Sequence, residues 1–156
     1  MKKIKLTQNK FAIVDNEDFD MLNKHKWYAN KNGNTFYAVR CSKKDEGKKM
    51  KIYMHRVIAK TLNNIETDHI DRDGLNNQRK NLRACSRSEN LINRNILKSN
   101  TSGYRGVSWD KLYKKWRAVI SIDKKYIKLG NFIKKEEACN AYKEASFKYH
   151  KNFSVR

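Results

Sequence analysis

A carboxylate, an imidazole and two amides lie within a short polar stretch in the middle of the chain. Asp68 and His69 are adjacent, and Asn81 and Asn90 follow them. An aspartate offers a hard oxygen ligand for Mg²⁺ or Mn²⁺, and a histidine beside it is a base that titrates near neutral pH. An asparagine supplies a neutral oxygen ligand or holds a neighbouring group in place. Together these groups could hold a divalent cation and activate a water molecule, which is one chemistry that cuts a phosphodiester.

Each of these residues also has an ordinary structural interpretation. An isolated Asp-His pair is usually a solvated turn, and the nearby asparagines can be ordinary turn or cap residues, namely Asn76, Asn77 and Asn81. On a regular strand, Asp68 and His69 would point to opposite faces. They serve one site only if the strand ends or bulges there, which the turn-forming sequence Asp71–Gly74 favours.

Two short strands and two short helices are predicted around these residues. In chain order they are a helix at His55–Leu62, a strand at Ile65–Ile70, a strand at Asn81–Cys85 and a helix at about Arg87–Ile96. Ser86 and Glu89 form a capping box that fixes the start of the last helix. Asn90 is therefore expected in the first turns of that helix, and Asp73-Gly74 marks the turn between the strands.

The stretch from Asp68 to Arg94 resembles the HNH nuclease motif. It contains the family's D-H-x-D/N-x-D/N and N-N-x-x-x-N-L-R blocks in order, followed by a block with Ser86 and Asn90. Met54-His55-Arg56 and the Trp-containing N-terminal block extend the resemblance towards the phage and intron-encoded homing members. The resemblance implies a ββα-metal fold and hydrolysis of DNA to 5′-phosphate and 3′-hydroxyl ends.

The resemblance also implies a role for each position. Asp68 and Asn90 would hold one divalent cation. His69 would deprotonate the attacking water, while Asn81 would orient His69 and brace the loop. Asn90 stands where the family has its final histidine, which favours Mg²⁺ or Mn²⁺ over Zn²⁺ or Ni²⁺. The residues predicted to contact DNA near this centre are Arg94, His55 and Arg56, with an ordinary surface arginine as the alternative for Arg94.

The chain carries a formal net charge of +20, from 36 Lys and Arg against 16 Asp and Glu in 156 residues. The excess is not confined to a tail, with +10 in residues 1–97 and +10 in residues 98–156. Such a charge repels itself in a compact state and favours a polyanionic partner. A Lys- and Asn-rich genome is the alternative explanation. Because no basic amphipathic helix of the membrane-lying kind is evident, we expect double-stranded DNA as the partner and no membrane.

The remaining composition is typical of an unexported protein. No apolar run approaches the roughly 18 residues that span a bilayer, and the N-terminal sequence lacks the apolar stretch of a signal peptide. Cys41, Cys85 and Cys139 are scattered without a C-x-x-C pair, which argues against disulfides and a structural zinc site. We therefore expect a cytoplasmic protein with reduced thiols.

The flanking segments predict an α+β chain. Residues 1–54 alternate short β-like runs with turns and are predicted to form a basic, mostly antiparallel, β-rich platform. The platform either supports the following residues or contacts DNA directly. Its predicted strands are Phe11–Val14, which ends at an Asp/Asn/Glu cluster, Trp27–Ala29, Phe36–Val39 and Met50–Met54. The nuclease region is predicted at 55–97, a polar linker at 98–103 and a further unit at 104–156.

Residues 104–156 are predicted to form a three-stranded antiparallel sheet and a helix. Apolar and polar residues alternate from Trp116 to Ile122, the period of a half-buried strand in which Trp116 belongs to the core. The chain then turns at Asp123–Lys125 into a further strand. The predicted apolar stripe of the helix comprises Ala138, Ala141, Tyr142, Ala145 and Tyr149.

From Ser102 to Arg156 the chain resembles the APETALA/ethylene-response-factor type of DNA-binding domain. Its landmarks are Gly103–Val107, Lys115–Ala118, Leu129–Phe132 and Glu136–Tyr142. The resemblance implies a sheet laid in the major groove with outward residues reading the bases. The predicted contact residues are Arg105, Lys115, Arg117, Tyr126 and Lys128. Because Ser108 and Ser121 replace arginines and Lys128 replaces a tryptophan of the plant proteins, the unit is expected to add affinity more than sequence choice.

Three functions remain open on the sequence alone. The leading one is an HNH-type homing endonuclease that nicks or cuts double-stranded DNA with one Mg²⁺ or Mn²⁺ ion. One active site and one reader predict a monomer without an obligate protein partner. The alternative is a sequence-specific DNA-binding regulator in which the nuclease motif is an inactive scaffold. A nonspecific degradative nuclease is the third, and it needs no separate reader.

Overall fold

The computed structural model describes residues 1–43, 49–62, 64–94, 96, 99–122, 125–150 and 153. It is an α+β structure of small antiparallel sheets and helices, as predicted. The chain folds as two units, Met1–Arg87 and Ser88–Arg156. This boundary lies before the predicted linker at 98–103. Within the described ranges, the helices lack the length and apolarity needed to cross a membrane.

The first unit begins with two antiparallel sheets, so the predicted antiparallel platform is confirmed. Their strands are β1 (Lys2–Lys5), β2 (Phe11–Val14), β3 (Tyr28–Asn32), β4 (Thr35–Lys43) and β5 (Lys49–Tyr53), ordered β1-β2 and β3-β4-β5. Val14, Leu22 and Met54 are fully buried in the core of this unit. The predicted turn at residues 45–47 lies outside the described residues.

A helix that the sequence patterns do not predict, α1 (Asn16–Asn23), follows β2. The Asp/Asn/Glu-rich start of this segment predicts a turn after the strand, and that prediction is wrong. Glu17 and Asp18 lie in the first helical turn, where acidic side chains stabilise the positive end of the helix. Leu22 buries the apolar side of the helix, and the indole N–H of Trp27 donates to its carbonyl at 2.8 Å.

The elements that follow are shorter than predicted. They are α2 (Met54–Ala59), β6 (Glu66–His69), β7 (Leu82–Cys85) and α3 (Arg87–Asn93), with a 3₁₀ turn at Arg79–Asn81. Helix α2 stops before Leu62 because Lys60 adopts a left-handed conformation, with φ 50°. Helix α3 stops before Ile96, where the guanidinium of Arg105 donates to the carbonyls of Leu91 and Arg94 and satisfies that end.

The second unit contains the predicted three strands and helix. They are β8 (Val107–Asp110), β9 (Lys115–Ile122), β10 (Lys125–Phe132) and α4 (Lys135–His150), with β9 in the middle of the sheet. Ala118 and Ile120 pack against Ala138 and Tyr142 in its core. The buried stripe on α4 differs from the predicted one at its C-terminal end, where Tyr149 is exposed and His150 is buried. Residues 98, 123 and 124 of the predicted linker and turn lie outside the described residues.

Candidate active site

Strand β6 ends at His69, as a shared site for Asp68 and His69 requires. Both residues are buried, with 6% and 5% of their surface exposed. In the antiparallel pairing of β6 with β7, Asp68 lies opposite Arg83 and His69 lies opposite Leu82. The chain leaves the strand through a turn in which the N–H of Arg72 donates to the carbonyl of His69 at 3.0 Å.

Asn77 holds the imidazole of His69. Nε2 of His69 donates to Oδ1 of Asn77 at 3.2 Å, and Nδ2 of Asn77 donates to the carbonyl of Leu75 at 3.2 Å. Because the Asn77 amide nitrogen is directed at a carbonyl, its oxygen faces the ring and selects the tautomer protonated at Nε2. Burial lowers the pKa of His69, and the opposing effects of Asn77 and Asp71 do not offset it. The ring is therefore neutral at neutral pH.

The loop after β6 is built around the carboxylate of Asp71. Nδ2 of Asn76 donates to it at 2.7 Å and Nδ2 of Asn81 donates to it at 2.9 Å. Oδ1 of Asn81 accepts from the N–H of Asp71 at 3.0 Å, so Asn81 spans the loop. Burial raises the pKa of Asp71, but the hydrogen bonds from Asp73, Asn81 and Asn76 outweigh it and lower the pKa overall.

The N-terminal platform binds this loop through backbone and side-chain hydrogen bonds. The N–H of Ile13 on β2 donates to the carbonyl of Leu75, and the N–H of Asn77 donates to the carbonyl of Ile13, both at 2.8 Å. The carboxylate of Asp15 accepts from the side chain of Gln78 at 3.0 Å and from the N–H of Arg79 at 2.8 Å. These contacts give the platform the scaffold role that was one of its two predicted roles.

His55 lies in an aromatic cluster with Tyr37, Tyr53 and His69. Its ring meets that of His69 edge-on, with centroids 4.9 Å apart. The ring centroids of Tyr37 lie 5.6 Å from His55 and 5.8 Å from His69. Burial is the main reason that the pKa of His55 falls to about 3, so this ring is neutral. Its Nδ1 has no hydrogen-bond partner among the described residues.

Two residues predicted to contact DNA are engaged inside the first unit. His55 is only 7% exposed. Arg56 donates to the carbonyls of Leu62 at 3.0 Å and Ile65 at 3.3 Å, which ties α2 to the segment before β6. In the free chain, His55 therefore packs against His69, and Arg56 joins two segments of the first unit.

Asp68, a predicted metal ligand, forms a buried ion pair. Nη2 and Nε of Arg83 lie 2.7 and 2.9 Å from Oδ2 of Asp68. The described residues contain no group of three or more His, Cys, Asp or Glu side chains placed to hold a metal ion. The predicted ligand set is of another kind, a carboxylate with an amide oxygen, and hard oxygen donors of this type suit Mg²⁺ or Mn²⁺.

The other residues predicted around the metal and the cleaved strand belong to the second unit. Asn90 lies on α3 and is half-buried, whereas Arg94 follows the helix and is exposed. The carbonyl of Arg94 accepts from Arg105.

Four of the five predicted sheet contacts share one face of the second unit. On β9, Lys115 and Arg117 point away from α4. Tyr126 lies opposite Ser121 and Lys128 lies opposite Val119, two β9 residues that point the same way. The shared face therefore carries four of the predicted contact residues: Lys115, Arg117, Tyr126 and Lys128. Tyr126 is 82% exposed. Arg105 differs from the prediction, since its guanidinium is directed at the end of α3. Trp116 lies on the core side, with its ring 5.1 Å from that of Trp109.

The sequence patterns assign no site role to three residues that the structure places around His69 and Asp68. They predict Asn77 as a turn residue and do not distinguish Arg83 or Tyr37. A weak signal existed for Asn77, because it belongs to the N-N-x-x-x-N-L-R block. Arg83 occupies the last position of the same block and becomes significant only through its pairing opposite Asp68. Tyr37 reaches His69 from a distant strand, which no local pattern reports.

Comparison with known proteins finds similarity to viral proteins. Neither a protein-family model nor a solved structure matches the chain. Protein 3.8 of Escherichia phage T7 is 43% identical over 58 residues, covering 37% of this chain and 48% of that protein. A protein of Acanthamoeba polyphaga mimivirus, described as an HNH endonuclease, is 35% identical over 104 residues, covering 63% of this chain and 50% of that protein. The chain thus spans about half the length of these relatives, and the mimivirus similarity supports an HNH endonuclease family in general terms.

Proposed function

We propose that this protein is a metal-dependent DNA endonuclease of the HNH homing type. The observation that carries the proposal is the setting of His69, a buried and neutral imidazole beside a carboxylate at the end of β6. Asn77 fixes its tautomer, and a hydrogen-bonded loop fixes its position. A histidine kept neutral and oriented is suited to act as a general base. The similarity to a described HNH endonuclease supports the same reaction class.

In the proposed mechanism, His69 removes a proton from the water that attacks the phosphorus. The tautomer selected by Asn77 carries its basic lone pair on Nδ1, so Nδ1 takes that proton. Asp68 would take part in holding one Mg²⁺ or Mn²⁺ ion, which would supply positive charge to stabilise the negative charge that develops in the reaction. Breaking the bond to the 3′ oxygen leaves a 5′-phosphate, and the departing oxygen takes a proton from solvent water to become a 3′-hydroxyl. Asn81 and Asp71 keep the loop in place throughout.

Double-stranded DNA is the proposed substrate. The net charge of +20 suits a polyanion, and it divides into +10 for residues 1–97 and +10 for residues 98–156. On the second unit, the face opposite α4 presents Lys115, Arg117, Tyr126 and Lys128, the type of surface that contacts phosphates and bases. We propose that this face binds the duplex in the manner of an APETALA/ethylene-response-factor-type domain, and that the chain acts as a monomer in the cytoplasm.

A DNA-binding regulator with an inactive nuclease motif is the second candidate. The ion pair between Asp68 and Arg83 favours it, because a carboxylate that is paired with an arginine is less ready to bind a cation. The nuclease remains the better supported function, because the chain is similar to a protein described as an HNH endonuclease and the loop around His69 is fixed by hydrogen bonds.

Cleavage of supercoiled plasmid in Mg²⁺ or Mn²⁺ tests the proposal. The native chain should convert supercoiled to nicked or linear DNA. His69→Ala should lose about 10²–10⁴-fold in rate, the usual contribution of a general base, while still binding a labelled duplex. His25→Ala, which changes an exposed histidine, is the matched control and should cleave normally. DNA binding without cleavage by the native chain in either metal would support the regulator instead.

A further inference from the structure

Arg83 and the proposed metal ion require the same carboxylate. Arg83 lies directly opposite Asp68 in the β6–β7 pairing, and both Nη2 and Nε donate to Oδ2 of Asp68. The Arg83 side chain is 17% exposed and that of Asp68 is 7% exposed, so water screens the pair weakly. The ordinary role of such a pair is structural, but this one involves the residue proposed to hold the cation.

An arginine cannot release a carboxylate by losing its proton, because a guanidinium remains charged throughout the physiological pH range. A divalent cation that approaches Asp68 must therefore either displace Arg83 or share the carboxylate with it. Two positive groups on one buried carboxylate repel each other strongly, since the interior screens charge poorly. In either arrangement, Arg83 weakens the affinity of the free chain for the metal.

A DNA phosphate offers Arg83 another anionic partner. Arginine binds phosphate through the same forked donors that it uses for a carboxylate. We propose that Arg83 is a positioning residue that holds Asp68 in the free chain and transfers to a phosphate of the bound duplex. DNA binding then releases Asp68 for the cation. By linkage, metal binding strengthens duplex binding by the same factor.

This inference rests on the proposed nuclease function and adds an order of assembly to it. The metal site is completed on the duplex and not before it. Free in solution, the chain binds the cation weakly, so a cleavage-competent centre forms chiefly where a phosphate is already bound beside Asp68.

Calorimetric titration with Mn²⁺ tests the role of Arg83. Arg83→Met removes the guanidinium while keeping the apolar stem, and the free variant should bind Mn²⁺ roughly 5–150-fold more tightly than the native chain, the ordinary range for coupled sites. Arg87→Met is the matched control, because Arg87 is an exposed arginine paired with Glu66 at 3.4 Å, and it should leave the Mn²⁺ affinity unchanged. Circular dichroism verifies that each variant is folded.

A second measurement uses no substitution at Arg83 and decides the question if Arg83→Met does not fold. In a His69→Ala background, which prevents cutting, a short duplex should tighten Mn²⁺ binding. The blank is the same duplex with the Asp68→Ala/His69→Ala chain, which reports metal bound by the DNA itself. Unchanged Mn²⁺ affinity in a folded Arg83→Met chain, or no tightening by the duplex, overturns the inference. Absence of metal-dependent cleavage by the native chain instead contradicts the nuclease proposal.

Discussion

At the scale of single residues, the candidate site depends on two buried side chains that touch His69. Asn77 is fully buried and fixes one ring nitrogen, while His55 packs edge-on against the ring and stays neutral. A charged neighbour in either position would change the protonation of the proposed base. The chemistry of one histidine therefore depends on uncharged groups around it as much as on the carboxylate beside it.

Removal of the Asn77 side chain should impair cleavage more than binding. Asn77→Ala leaves His69 without the acceptor that selects its tautomer, and we expect the cleavage rate to fall about 10²-fold or more, within the range of a general-base contribution. Asn64→Ala changes an exposed asparagine of the same unit and should have no effect. Rates on plasmid and duplex affinities by anisotropy separate the two steps. A normal cleavage rate for folded Asn77→Ala would show that the tautomer is set by another group.

Acid should destabilise the fold through His55. The unfolded chain takes up a proton on this histidine below a pH of about 6.5, whereas the low pKa of about 3 keeps His55 neutral in the fold. Because the unfolded state binds more protons between these values, stability should fall as pH decreases from about 6.5 towards 3. The slope for one such proton is about 1.4 kcal/mol per pH unit.

Urea unfolding at a pH of about 7 and again at about 5.5, on either side of the ordinary histidine pKa, measures this effect. His55→Phe keeps a ring against Tyr37 and His69 but cannot take up a proton, so its stability should depend less on pH than that of the native chain. Some dependence should remain, because burial also lowers the pKa of His69. The exposed His25 provides the control substitution, His25→Phe. Identical pH dependence in the native chain and His55→Phe would contradict the assignment.

At the scale of elements, the loop between β6 and β7 is held from outside by β2 and β4. Its close approach to β4 depends on Gly74, whose N–H donates to Oγ1 of Thr35 at 3.0 Å. A Cβ at Gly74 would lie 2.5 Å from the carbonyl oxygen of Phe36 and 2.8 Å from the ring of Tyr37. Tyr37 also touches His69, so this approach connects loop position to the proposed base.

Gly74→Ala should therefore move the loop. Overpacking of this kind typically costs about 1–3 kcal/mol, and the displacement of Tyr37 should also lower the cleavage rate. Gly33→Ala is the matched control, since a Cβ there meets nothing within 4 Å and only the positive φ of 60° opposes it. Denaturation should show lower stability for both variants. Plasmid cleavage should be slower for Gly74→Ala and unchanged for Gly33→Ala.

Local sequence patterns predict the elements of this chain better than the contacts between them. Local patterns correctly predict the strand from Trp116 to Ile122 and the turn after His69. Both structures depend mainly on residues that are neighbours in sequence. Helix α1 is not predicted because its acidic start resembles a turn. Its apolar side becomes evident only in the folded structure, where Leu22 is buried in the core. The pairing of Asp68 with Arg83 and the bond from His69 to Asn77 require a register and a loop geometry that no short pattern contains.

At the scale of the whole molecule, positive charge dominates the chain. The net charge is +20, and in the second unit lysines lie on both the sheet face and α4. Salt weakens the attraction between such charges and phosphates by restoring the counterions that binding releases. Duplex affinity should therefore fall steeply as salt rises, and the slope reports how many phosphates the protein binds.

Neutralising the sheet face should reduce that slope. Lys115→Gln/Lys128→Gln removes two lysines from the face opposite α4, and the slope of log affinity against log salt should become shallower by about 1.8, at roughly 0.9 for each phosphate that is no longer bound. Lys143→Gln/Lys148→Gln removes the same charge from exposed positions on α4 and should change the slope little. Equal changes in both double variants would show that charge alone, without a preferred face, governs binding.

The hydrogen bonds from the loop to Asp15 also bear on the order in which the chain folds. The bonds of Asp15 to Gln78 and Arg79 join residues 63 and 64 positions apart. Pairs so distant in sequence close late, because a long stretch of chain loses its freedom when they form. We therefore expect the His69 loop to reach its final geometry only after the platform has assembled. A partly folded chain would lack the loop geometry that the proposed reaction requires, and an isolated fragment of residues 65–96 lacks the strand that holds its loop.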